Sequence, residues 1–130
     1  MTMTKPLLII VDDDRDMAEF VCDVGEDLGF EVKICTSAKE FQAAYSLKIP
    51  TGIVMDIVMP DMDGNELLKW LVDQGCITPI VIMSGYGGKY MAAAEKLGKS
   101  WGASVAGTLP KPIRVDDLEP VLQEIINTVN

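Results

Sequence analysis

The chain is 130 residues long, 48% hydrophobic and 24% charged, which suits one domain, residues 1–130, with a sizeable buried core. Its net charge of -9 argues against nucleic acid as a direct ligand, because phosphate backbones are held by clustered Lys and Arg. The absence of histidine excludes Ser-His-Asp and Cys-His catalysis, excludes this chain as a carrier of phosphohistidine, and leaves Cys22, Cys35 and Cys76 short of a zinc site.

These three cysteines, an odd set without CxxC spacing, are expected to be reduced and mostly buried. No apolar run approaches the ~18 to 20 residues of a membrane span, and MTMTKPLLIIVDDD lacks a signal-peptide apolar region before acid appears. A cytoplasmic protein without membrane contact is the expectation.

Five short apolar or β-branched runs read as strands at 7–11, 31–35, 52–56, 79–84 and 104–109. Between the first two, Met17, Phe20, Val21, Val24 and Leu28 form one helical stripe, and Gly29 stands where the helix stops. Ser37 and Glu40 have capping-box spacing, so a second helix starts there and ends before Pro50. A third runs over about 65–74 with Gly75 at its end, and a fourth over about 89–100. Leu118, Val121, Leu122, Ile125 and Val129 mark the last, started near Asp116, with Pro120 tolerable only in the first turn.

Strands that alternate with amphipathic helices predict an α/β fold. Right-handed crossovers then give a doubly wound, flavodoxin-like (βα)5 parallel sheet of order 2-1-3-4-5, with ligands at the carboxyl ends of the strands. No further segment for an output domain is visible.

The carboxyl edge gathers Asp12, Asp13 and Asp14 after strand 1, Asp56 after strand 3, Ser84 after strand 4 and Lys111-Pro112 after strand 5. Clustered carboxylates either raise a pKa or recruit a divalent cation, and hard, oxygen-ligated Mg²⁺ suits this set best. Asp12, Asp13 and Asp56 are balanced by Mg²⁺ together with Lys111. A carboxylate so neutralised is a nucleophile for phosphoryl transfer, a reaction governed by positioning and electrostatics. Asp56 would become an aspartyl phosphate, with the Lys111 ammonium and the Ser84 hydroxyl on its phosphoryl oxygens.

The fragments IIVDDD, MDIVMPDMDG, VIMSGYG and LPKPI, in this order, resemble a response-regulator receiver domain over essentially the whole chain. The resemblance implies a receiver in a two-component phosphorelay, with Asp56 as phosphoacceptor, Asp13 as a direct Mg²⁺ ligand and Asp12 as an outer one. It implies that Val58 offers its backbone carbonyl to the metal, that Ser84 and Lys111 complete the site, and that the Lys111-Pro112 bond is cis. The donor would be a phosphohistidine on a sensor histidine kinase or a histidine phosphotransfer protein, or a small acyl phosphate. The receiver would catalyse only its own phosphorylation and dephosphorylation, switch the face formed by helix 4, strand 5 and helix 5, and act on an output domain or partner protein. A homodimer through that face is left open.

Two features depart from the family pattern. Thr108 stands where receivers usually carry Tyr or Phe, which sets aromatic-rotamer switching aside. The stretch from Ser84 to Lys111 is also several residues longer than in a minimal receiver, and resembles receivers attached to EAL-type cyclic-di-GMP phosphodiesterase domains. Val58 and Tyr86 flank the expected path of attacking water; neither is an acid or amide suited to orient it, so a long-lived phosphoryl group is expected.

Other readings fit less of the chain. Asp12 to Asp14 alone could be an acidic helix start, Lys111 an ordinary surface lysine, and the glycines 85, 87 and 88 any flexible loop. The run 61–65 is a turn that supplies shape. Trp70 and Trp101 are expected at helix margins and most methionines in the core. Asp61-Met-Asp63-Gly resembles a haloacid-dehalogenase motif but does not follow the first strand. Both EF-hand-like starts lack Gly at the sixth position, where Met17 and Glu66 stand. The Asp triplet would repel the phosphate of FMN. A pseudo-receiver that works by contact without phosphorylation is the remaining alternative.

Overall fold

The computed structural model describes residues 5–59, 63–85 and 88–129. In chain order the elements are β1 (Leu7–Val11), α1 (Arg15–Asp27), β2 (Glu31–Cys35), α2 (Ala38–Leu47), β3 (Gly52–Asp56), α3 (Gly64–Asp73), β4 (Ile80–Ser84), α4 (Gly88–Ser100), β5 (Val105–Pro110) and α5 (Val115–Asn127). The strands pair in parallel in the order β2-β1-β3-β4-β5, the flavodoxin-like arrangement expected from the sequence.

Alternation along β1 explains how one strand serves two cores. Ile9 and Val11 pack with Phe41 of α2, Leu67 and Leu71 of α3 and Met91 of α4. Leu8 and Ile10 face the other way, onto Val21 of α1 and Leu118, Leu122 and Ile125 of α5. Strands β1, β3 and β4 are buried throughout, as strands covered on both faces must be, whereas the edge strands β2 and β5 are partly exposed.

Local chemistry starts and stops the helices. The Asp14 carboxylate accepts from the Met17 amide at 3.2 Å, and Ser37 Oγ from the Glu40 amide at 3.2 Å. Glu40 Oε1 accepts from the Thr36 hydroxyl at 2.8 Å, so its carboxylate ties the helix to the preceding residue. Gly29 (φ 106°) and Gly75 (φ 75°) end the segments after α1 and α3 in the left-handed region that favours glycine.

Some boundaries differ from expectation. Strand β4 begins at Ile80 and β5 at Val105, one residue late in each case. Pro79 and Ser104 still lend carbonyls to the sheet, accepting from Ile53 and Ile80 at 3.0 and 2.8 Å, but Pro79 has no amide to donate. Pro120 is the sixth residue of α5 and not in its first turn. The carbonyl it leaves unbonded belongs to Asp116, an exposed residue, so water can replace the lost bond. Only Cys35 is buried; Cys22 and Cys76 are half-buried, and all three are free thiols. Trp70 and Trp101 are partly buried beside the core, with Trp70 edge-on to Tyr45, and Met55, Met59, Met83 and Met91 are core residues. Among the described residues no helix is long and apolar enough to cross a membrane.

Candidate functional site

Four strand ends converge at the carboxyl edge. The last turn of β1 delivers Asp12, whose amide donates to the Cys35 carbonyl at 3.0 Å and so continues the β1–β2 ladder. The Asp12 side chain is fully buried, while its neighbour Asp13 points to solvent. Asp56 closes β3 at 4% exposure and Ser84 closes β4 at 1%. The amide of Lys111, just beyond β5, donates to the Ser84 carbonyl at 2.8 Å, and its peptide bond to Pro112 is cis, as the resemblance implied.

Lys111 is the cation that permits this burial. Its Nζ lies 3.0 Å from Asp56 Oδ2 and 2.9 Å from Asp12 Oδ2, on a side chain only 17% exposed. The second oxygens are held by backbone: Asp12 Oδ1 accepts from the Asp14 amide at 2.9 Å, and Asp56 Oδ1 from the Val58 amide at 3.0 Å. These contacts compensate the burial of an acid at the end of an apolar strand.

The charges do not close. Carboxylate oxygens of Asp12, Asp13 and Asp56 lie within 4.8 Å of one another, and three negative charges against one ammonium leave a formal excess of two. Burial, with a smaller contribution from Asp56, raises the Asp12 pKa above its ordinary 3.8, although Lys111 and the Asp14 amide oppose the shift. Burial alone would lower the Lys111 pKa; the two carboxylates outweigh it and raise the ammonium above 10.5.

Asp12 Oδ2 is buried and meets the Lys111 ammonium at 2.9 Å. Buried carboxylates in an oxygen-only, doubly negative cluster with one exposed member fit a hard divalent cation that keeps part of its water. A second group, Cys22, Asp23 and Glu26 on α1, also lies within 4.8 Å, but it is exposed at both carboxylates and mixes soft with hard donors.

The connection after β3 is shaped by Gly64. Its amide donates to the Ile57 carbonyl at 3.0 Å, and Val58 and Asp63 form an isolated antiparallel bridge. A Cβ at Gly64 would fall onto the Ile57 backbone, 2.6 Å from its oxygen, so the close approach requires glycine. The sequence reading gave this stretch a shape role without finding that contact; a Gly directly after the N-cap Asp63, which accepts from the Asn65 amide at 2.9 Å, was the available signal. Of the triplet that alone could be an acidic helix start, Asp14 is the N-cap of α1. Tyr86 and Gly87, with residues 60–62, lie outside the described residues. Thr108 on β5 pairs with Ile82 of β4 and is partly exposed.

The family described as the response regulator receiver domain matches residues 8–123. The chain belongs to that family. Among curated relatives the receiver is 32% identical over 124 residues to the transcriptional regulatory protein FixJ of Bradyrhizobium diazoefficiens, covering 95% of this chain and 58% of that protein. It is 29% identical over 118 residues to the response regulator protein TmoT of Ectopseudomonas mendocina, covering 91% of this chain and 51% of that one. The receiver thus spans little more than half the length of these relatives. A solved response regulator from Colwellia psychrerythraea superposes with a TM-score of 0.82 at 28% identity, covering 96% of this chain and 99% of that chain. Membership of this family connects the receiver to two-component signalling.

Proposed function

We propose that the receiver accepts a phosphoryl group on Asp56, with Mg²⁺, from the phosphohistidine of a sensor histidine kinase or histidine phosphotransfer protein in the cytoplasm. The observation that carries this reading is Asp56 itself. It is a carboxylate at the end of a buried strand, oriented at both oxygens, one by the Val58 amide and one by Lys111. An oxygen of Asp56 attacks phosphorus, an acyl phosphate bond forms, and the phosphorus–nitrogen bond breaks with its electron pair staying on the donor imidazole. With a small acyl phosphate the bond broken is phosphorus–oxygen and the pair leaves on the carboxylate.

Asp13, Asp56 and the Val58 carbonyl would hold Mg²⁺, with Asp12 as an outer partner. When bound, the ion supplies positive charge for the phosphoryl oxygens. Lys111, already beside Asp56, adds its ammonium to the same oxygens, and the Ser84 hydroxyl donates to one of them. Movement of Ser84 and the loop after it biases the arrangement of the α4, β5 and α5 face, and a partner or output domain with different affinity for the two arrangements reads the change. Elements β1 to α5 act here as one receiver, its chemistry is confined to its own phosphorylation and dephosphorylation, and any effect on nucleic acid passes through the output partner.

Intact-mass spectrometry after incubation with Mg²⁺ and acetyl phosphate tests the reading. A Mg²⁺-dependent, hydroxylamine-labile gain of one phosphoryl group, absent from Asp56→Asn, is the expected result, with slow decay after the donor is removed. No gain from acetyl phosphate and none from a panel of kinases, in a folded protein, would establish the pseudo-receiver alternative.

A further inference from the structure

Two carboxylates of the site are held by the same device. Asp12 Oδ1 accepts from the amide two residues on, that of Asp14, at 2.9 Å, and Asp56 Oδ1 from that of Val58 at 3.0 Å. Aspartates make such turns onto the backbone just after them. What fixes the donor differs between the two. Val58 lies in the connection from β3 to α3 and is anchored by its bridge to Asp63. Asp14 is itself the N-cap of α1, so the amide that holds Asp12 and the side chain that starts the helix belong to one residue.

Helix α1 grips Asp14 at two points. The Asp14 carboxylate accepts from the Met17 amide at 3.2 Å, and its carbonyl accepts from the Ala18 amide at 3.0 Å. Ala18 and Val21 are fully buried, so the helix that grips Asp14 is seated in the core. The cap keeps residue 14 in extended backbone, with φ -83° and ψ 102°, and this conformation aims its amide back at Asp12. The Asp14 side chain is exposed and is not among the carboxylates that gather at the site.

A planar carboxylate held at one oxygen can still turn; held at both it cannot. On Asp12 the Lys111 ammonium meets Oδ2 at 2.9 Å and the Asp14 amide takes Oδ1. Loosening that amide lets the carboxylate swing about its contact with Lys111. Hydrogen-bond partners of this kind orient the groups around a metal and carry part of its affinity. We propose that Asp14 is a positioning residue: by capping α1 it fixes the Asp12 carboxylate in the orientation that receives Mg²⁺. The assignment rests on the Mg²⁺ site proposed above and adds to it a residue that acts only through Asp12.

Calorimetric titration with Mg²⁺, together with amide hydrogen exchange read by NMR without metal, tests it. Asp14→Ala and Asp14→Asn remove the same charge, but only asparagine keeps a side-chain oxygen to cap the helix. Asp14→Ala should bind Mg²⁺ about fivefold more weakly than Asp14→Asn, and its residue-14 amide should exchange about fivefold faster. Gly29→Ala strains the far end of the same segment, where φ is 106°, and should lower the urea midpoint without changing Mg²⁺ affinity. Equal Mg²⁺ affinity in the two Asp14 variants, equal exchange at residue 14, or a matching loss of affinity in Gly29→Ala would overturn the proposal. A native chain that binds no Mg²⁺ would overturn the metal reading beneath it, and the metal-free exchange keeps that failure distinct from failure of the clamp on Asp12.

Discussion

Replacing Lys111 by methionine keeps most of the side chain's volume and removes its charge, which isolates the electrostatic role of the ammonium. The native ammonium neutralises Asp12, fully buried, and Asp56, 4% exposed, at 2.9 and 3.0 Å. Removing one partner of a buried ion pair costs about 3–5 kcal/mol. The lower end applies because Asp12 and Asp56 each keep a backbone donor and the lysine is 17% exposed, so we expect a loss of about 3 kcal/mol at pH 7, or roughly 10 °C in Tm. The pH dependence gives the sharper test. The folded-state pKa of Asp12 lies above its unfolded value, so the folded chain takes up a proton first as pH falls, and the need for the ammonium declines. On the alkaline side the Lys111 pKa is raised, so its stabilisation is complete below 10.5 and lost as pH rises through the folded value. Urea unfolding of both proteins between about pH 5 and pH 8 should therefore show a deficit that shrinks toward acid, with unchanged m-values. A deficit below about 1 kcal/mol, or one that is the same at both ends, would refute the assignment of Lys111 as the neutralising cation.

Two further outcomes follow from the structure. Gly64→Ala forces a Cβ into the Ile57 backbone and should destabilise the protein by about 3 kcal/mol, read as a lower urea midpoint; an unchanged midpoint would contradict the close approach. The Cys22 thiol is pushed up from 9.0 to about 11 by burial and by Glu26, Asp23 and Glu19. At pH 8 it should be alkylated roughly a hundredfold more slowly than an unshifted thiol, with the rate climbing about tenfold per pH unit to pH 10; rapid labelling at neutral pH in a mass-resolved time course would rule this out.

The sheet was legible because the signals that built it are local. Alternating strands and helical stripes need only neighbours in sequence, and the right-handed crossover rule then fixes the order β2-β1-β3-β4-β5. The site residues were legible for the same reason, since each sits where a strand ends. Their division of labour was not. Asp12 and Asp13 are identical neighbours in sequence, yet the pleat turns one into the core to meet Lys111 and leaves the other in water. Nothing short of the packed sheet distinguishes them. The Pro120 expectation failed because helix starts were inferred from the acid at Asp116, whereas Arg114 caps α5 without a side-chain bond.

The clasp on Asp12 and Asp56 comes from Lys111, just beyond the last strand, and so from a part of the chain synthesised long after both acids. Until β5 docks, those carboxylates repel one another with no internal cation to quiet them. A chain cut short before β5 presents the acids without the group that organises them.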